Sequence, residues 1–202
     1  GDCITLRANC GHIEGLRIFC DTPGNTFCAK TNSGLLEIEN CHLASESAGC
    51  FHVDENAKIT IKDSELCTKY SLSSLQPRSH AVIMDCTFTQ PATKEEILHP
   101  FISIDPNATC IIIDCTIESM ISFLPYSKGM LLRCNISTKG KFIKGEGNGI
   151  CIKEGAEPLI KNCKIDNCAE AGIRFDPKSK GVIDDCIITG NTNFGVLSLS
   201  AE

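Results

Sequence analysis

The chain contains no tryptophan and only two tyrosines, and aromatic residues make up 5% of its 202 positions. A core organised around large rings is therefore excluded, and isoleucine, valine, leucine and cysteine are left to fill it. No apolar run reaches the roughly 18 residues that a membrane-spanning helix needs, so no membrane partner is expected. Basic clusters are also missing. The formal charge is −6, and the nearest approach to a cluster, Lys139-Gly-Lys141 with Lys144, reads as a solvated loop. Nucleic acid is excluded on that ground, because phosphate contacts need grouped Lys and Arg. Despite fifteen cysteines there is no Cys-x-x-Cys pair, and His12, His42, His52, His80 and His99 form no His-x-x-x-His. A zinc site normally shows such spacing, so neither a metal nor another cofactor is expected.

What the chain does have is a repeat. Leu36-Glu-Ile-Glu-Asn-Cys-His-Leu43, Ile59-Thr-Ile-Lys-Asp-Ser-Glu-Leu66, Ala81-Val-Ile-Met-Asp-Cys-Thr-Phe88, Cys110-Ile-Ile-Ile-Asp-Cys-Thr-Ile117, Pro158-Leu-Ile-Lys-Asn-Cys-Lys-Ile165 and Gly181-Val-Ile-Asp-Asp-Cys-Ile-Ile188 share one grammar. Apolar residues lead to an Asp or Asn, then a Cys or Ser, one variable residue and another apolar one. Met130-Leu-Leu-Arg-Cys-Asn-Ile136 reads as a shortened copy, and Ile4 to Ile13 as a first copy ending on Cys10. A second short strand recurs upstream, and its central residue lies 12 positions before the Cys or Ser anchor in every case: His52 before Ser64, Ser103 before Cys115, Ser122 before Cys134, Cys151 before Cys163, Arg174 before Cys186. That offset stays constant while the anchors are 19 to 29 residues apart, so the extra length falls in one connecting turn. Residues 89–98 and 139–148 are those insertions.

Period-two alternation broken by Gly, Asn, Asp and Pro, with no helical period, marks stacked short strands. The reading is all-β, a right-handed parallel β-helix of about eight coils, each with two strands, filling residues 1–202 as a single domain. In such a solenoid equivalent residues of successive coils stack on one another. Asn40, Asp63, Asp85, Asp114, Asn162 and Asp185 would line one corner, where short polar side chains tolerate unusual backbone angles. The anchor cysteines would form an internal column of small hydrophobic thiols, poorly placed for disulfides and reduced. Reduced thiols imply a cytoplasmic location. Function is then sought on outward columns of the upstream strand: His52, Ser103, Cys151 and Arg174 in one, Asp54, Asp105, Lys153 and Asp176 in the next. These are candidate binding residues. The three Asp of the second column fall on well-separated coils, which suits neither a calcium site nor a carboxylate pair for glycoside hydrolysis. No catalytic residue is assigned.

The repeat grammar resembles that of the pectin-lyase-like right-handed β-helix superfamily over nearly the whole chain, and Asp184-Asp185-Cys186 is similar to a catalytic Asp-Asp-Cys of the polygalacturonases. The Asn-Thr-Asp, Gly-His-Gly and Arg-Ile-Lys of those enzymes are not found here, and Asp185 belongs to the corner column. The segments 149–165 and 171–188 are similar to repeats of F-box ubiquitin-ligase subunits, and resemble the β-helices of the Shc-binding and nessun dorma proteins. That resemblance implies a non-catalytic scaffold that docks a partner protein through its outer strand faces and inserted loops. The alternative it leaves is a carbohydrate-active or carbohydrate-binding β-helix.

Overall fold

The computed structural model describes residues 2–21, 26–46, 49–68, 73–90, 102–138 and 147–200. Their strands form three parallel sheets of nine, eight and eight strands, and within each sheet a strand neighbours those three places before and after it in the chain. The coil therefore carries three strands, where the sequence suggests two. The third strand was hidden inside the repeated motif, which straddles a corner: Leu35–Glu39 lies in the second sheet, Asn40 and Cys41 turn the chain, and His42–Ser45 lies in the third.

The corner explains the repeated Asp and Asn. Asn40, Asp63, Asp85, Asp114, Asn162 and Asp185 all adopt left-handed backbone with φ between 45° and 53°, a region that costs most side chains about 1–2 kcal/mol and short polar ones less. Arg133 occupies the same place at φ 52°. Its guanidinium fork bonds Asp114 on the coil before, at 2.7 and 2.6 Å. This copy is also full-length rather than shortened. Gly129 takes the place of Cys110, and a Cβ there would lie 2.3 Å from the Cys110 carbonyl oxygen.

In the first coil the corner falls at Gly15, whose N–H donates to the Glu39 carbonyl and whose φ is 67°. Leu16, not Cys10, thus stands over Cys41. Cys10 begins the strand Cys10–Glu14, pairs with Leu35 and is exposed. Residue type misled the assignment there, since an apolar Leu can close the end of a column that thiols continue.

Beyond the corner, the anchors form the expected internal column, and its thiols do more than fill space. The backbone N–H of Cys41 donates to Ser64 Oγ at 3.0 Å, that of Cys86 to Cys115 Sγ at 3.4 Å, that of Cys134 to Cys163 Sγ at 3.5 Å and that of Cys163 to Cys186 Sγ at 3.4 Å. Each group in turn donates to the carbonyl two residues back, as Cys86 does to Met84 at 3.0 Å and Ser64 to Lys62 at 2.6 Å. The chain leaves the ladder to turn the corner, and the anchor supplies the partner that the stranded N–H would otherwise lack. Contact with the Cys86 and Cys134 thiols, and then burial, push the Cys115 and Cys163 thiols far above the ordinary range. Among the described residues, which include every cysteine, no disulfide forms.

Inward residues of all three sheets, among them Phe51, Val53, Ile59, Ile61, Leu66 and Ile112, are essentially inaccessible and belong to one continuous core. Of the two inserted turns, residues 91–98 and 139–146 lie outside the described residues.

Candidate functional site

The upstream strands build the first sheet, with Phe51–Val53, Ser73–Leu75, Ile102–Ile104, Ile121–Phe123, Ile150–Ile152 and Ala171–Phe175 as consecutive members. Alternation buries their flanking residues and turns the central ones out. The register stacks Lys30, His52, Ser74, Ser103, Ser122, Cys151 and Arg174 in a single line. The outward column is therefore real, but its middle is not open. Ser103 and Cys151 are each 7% exposed and Ser122 is 5%. Small side chains sink below their neighbours, and the Met120 sulfur lies 3.5 Å from Cys151 Sγ. Burial pushes that thiol up to about 11 against the pull of Lys153 and Arg174, so at neutral pH it is not a thiolate nucleophile.

Two charged clusters remain at the ends of this line. In the first, His52 Nε2 lies 2.8 Å from Asp54 Oδ1 and His52 Nδ1 lies 2.6 Å from Ser74 Oγ. The Phe27 ring stacks on the imidazole, centroids 4.8 Å apart, while Asn32 Nδ2 donates to Asp54 at 2.5 Å and Lys30 Nζ stands 3.7 Å from it. Ser74, His52 and Asp54 are the groups of an acyl-transfer relay. Such chemistry also needs N–H donors aimed at a developing oxyanion. N–H groups of the strand ends around Ser74 are spent in the ladder: Gln76 N–H bonds Val53 O at 2.9 Å, and on the next coil Asp105 N–H bonds Leu75 O at 3.0 Å. The relay as built fixes the imidazole. Asp105, one coil beyond Gln76, receives a weak 3.5 Å bond from Ser103, and burial raises its pKa despite that bond and the nearby His52.

In the second cluster Asp176 accepts from Lys153 Nζ and from Arg174 Nε, both at 2.9 Å. Burial works against its charge, but the two cations together outweigh burial and hold the carboxyl below its usual range. The structure thus joins His52 with Asp54, Ser103 with Asp105, and Lys153 with Arg174 and Asp176. The two charged clusters stay apart, with the coils of Ser103 and Ser122 between them. Asp54 and Asp105 stand two coils apart, roughly 10 Å at the ordinary strand spacing, with Gln76 between. Among the described residues no group of three or more His, Cys, Asp or Glu side chains could hold a metal ion.

The third sheet carries a surface groove of about 670 Å³, lined by polar side chains that include Thr116, Asn135, Lys164 and Asp166, and this too was not foreseen. Its strands are as short as the two residues Thr116–Ile117, too brief to show a period.

Three parallel sheets wound on one core, with stacked corner and thiol columns, define a parallel β-solenoid. The family model described as a right-handed β-helix region matches residues 74–202, and the chain belongs to that family. No curated protein and no solved structure matches it.

Proposed function

We propose that the chain is a non-catalytic scaffold that docks a partner protein on the outer face of its first sheet. The observation that carries this reading is the pairing of Asp54 and Asp176, at the two ends of this face, with cations or amides of the same face. Asp54 is tied to His52, Asn32 and Lys30, and Asp176 to Lys153 and Arg174. Neither is left as a poised acid or base. Held on rigid strands, such clusters present donors and charge in a fixed pattern, which favours specificity and encounter with a complementary surface. Docking of this kind is also what the resemblance to F-box and Shc-binding β-helices implies, and the unbridged thiols support a reducing, cytoplasmic setting.

Affinity capture from lysate with the wild-type chain and with R174E/K30E tests the reading. The variant should lose capture by at least about tenfold, the scale expected when complementary charge is reversed, with its circular dichroism unchanged. Undiminished capture counts against it, as does labelling of Ser74 by a fluorophosphonate probe.

Carbohydrate binding remains a second reading, favoured by the groove of the third sheet and its hydroxyl, amide and Lys164–Asp166 lining. Titration with neutral and acidic oligosaccharides separates the two readings: on this one, K164A weakens sugar binding while R174E/K30E leaves it intact.

A further inference from the structure

A second set of thiols lies at the corner where the third sheet returns the chain to the first. Cys3, Cys28 and Cys50 each stand just before a first-sheet strand, Ile4–Leu6, Ala29–Thr31 and Phe51–Val53 respectively. The ladder stacks them, since Ile4 N–H donates to Cys28 O at 3.1 Å and Ala29 N–H to Cys50 O at 3.0 Å. Across the corner each thiol donates to a carbonyl near the end of a third-sheet strand. Cys3 Sγ reaches Phe19 O at 3.4 Å, Cys28 Sγ reaches Ala44 O at 3.1 Å and Cys50 Sγ reaches Cys67 O at 3.3 Å. Phe19, Ala44 and Cys67 are themselves partners in the ladder, so this geometry repeats from coil to coil.

The residue after that carbonyl does not repeat. It is Ser45 in the second coil, Thr68 in the third and Cys20 in the first, so of these three coils the first alone sets a thiol beside a thiol. Cys20 is turned inward and 2% exposed, and its Sγ lies 3.4 Å from Thr26 Oγ1. The neighbouring Phe27 is tied to the segment of the other thiol, its N–H donating to Asp2 Oδ1 at 2.9 Å and its carbonyl accepting from Cys3 N–H at 3.0 Å. The two thiols are thus held in contact from both sides of the corner. Cys3 is exposed, whereas Cys28 and Cys50 are sealed.

The geometry points to Cys3 and Cys20 as a disulfide site that closes the first coil on itself when the chain meets a low-molecular-weight disulfide such as oxidised glutathione. Cys3, as its thiolate, attacks one sulfur of that molecule; a mixed disulfide forms and one glutathione leaves as a thiolate. Cys20, as its thiolate, then attacks the Cys3 sulfur, and the second glutathione leaves. The protons given up by the two cysteines go to the two glutathione thiolates, so two protein thiols are oxidised and one small disulfide is reduced. Burial, and then the Cys20 thiol, push Cys3 up to about 11. The attacking thiolate is therefore scarce at neutral pH and grows about tenfold with each pH unit. Closure is slow, and follows the lasting redox poise of the compartment rather than a brief pulse of oxidant. Its effect falls on a thinly sealed part of the solenoid: inward Ile4, Leu6 and Ile13 are only half-buried, where Ile38, Val53 and Ile61 of the next coils are inaccessible. Such a coil opens more readily than interior ones, and a bond from its first strand to its last restrains the opening.

The site is independent of whether the first sheet docks a protein, so the tests do not overlap. The full chain is incubated with oxidised glutathione across about pH 7 to 9, free thiols are trapped with N-ethylmaleimide, and the peptides are mapped by mass spectrometry. A Cys3–Cys20 bridge should form, about tenfold faster with each pH unit. C28S should still form it, C20S should stop at a Cys3–glutathione mixed disulfide, and C3S should leave Cys20 free. In the bridged chain, amide hydrogen exchange across the first coil should slow by at least about tenfold while that of the central coils is unchanged. Cys3 and Cys20 that stay free overturn the inference, as does a glutathione adduct on Cys3 as the end product in the wild type. A bridge from Cys3 to Cys28, or one that leaves exchange in the first coil unaltered, overturns it equally.

Discussion

At the corner between the second and third sheets of each coil, a single residue resolves a conflict between chain direction and hydrogen bonding. The left-handed Asp or Asn bends the strand, and the anchor after it satisfies the backbone N–H that the bend removes from the ladder. Ser64 makes the same two bonds as the thiols, donating to Lys62 O and accepting from Cys41 N–H. A hydroxyl should therefore serve wherever a thiol does. C115S is expected to cost less than about 1 kcal/mol, whereas C115A leaves the buried Cys86 N–H without a partner and should cost about 1–3 kcal/mol. Urea denaturation of the two variants measures the difference, and equal losses would mean that the thiols only fill volume. The same two bonds explain why the column tolerates serine at one coil, which neither a metal site nor a disulfide framework would.

At the scale of the element, the first sheet's face holds two carboxylates displaced in opposite directions. Asp105 is raised by burial, so the folded chain binds its proton more readily than the unfolded one, and stability is lost as pH rises from the unfolded value through the folded one. Asp176 is lowered by Lys153 and Arg174, which together outweigh its burial; its contribution is present above the unfolded value and is lost as pH falls through the folded one. D105N should therefore melt higher than the wild type at pH 7, and D176N lower, with both differences shrinking toward acid pH. Thermal melts across the acid range check the signs, and shifts in the same direction at neutral pH would contradict the account. This face was largely legible in the sequence, because period two and the constant offset of 12 residues fix which side chains turn out. Its accessibility was not: Met120, which covers Cys151, lies 31 positions away along the chain. The third strand was hidden for a different reason. Across the corner the inward residues run Ile112, Cys115, Ile117, a slip of one position that still resembles a single alternating strand.

For the whole molecule, stability is expected to be a sum over neighbouring coils. Interior coils have their core positions sealed, as Ile83, Ile112 and Leu131 show, whereas Ile183 and Ile188 in the last complete coil are only half-buried. The central claim is a division of labour. The repeated Asp, Asn and Cys columns hold the solenoid, and on the proposed function the outward residues of the first sheet are the ones used for recognition. An alanine scan of both kinds of column, scored for folded abundance, tests this most directly. Alanine at Asp85 or Asp114 should cost about 1–2 kcal/mol, because it forces an ordinary side chain into left-handed backbone, and glycine at the same positions should recover most of it. Alanine at Cys86, Cys115, Cys134 and Cys163 should lower abundance as well. Alanine at Lys30, His52, Lys153 and Arg174 should leave abundance within about 1 kcal/mol of wild type, the range of partly exposed ion pairs. If the outward residues prove as costly as the ladders, or if the corner and thiol columns tolerate alanine freely, the division fails.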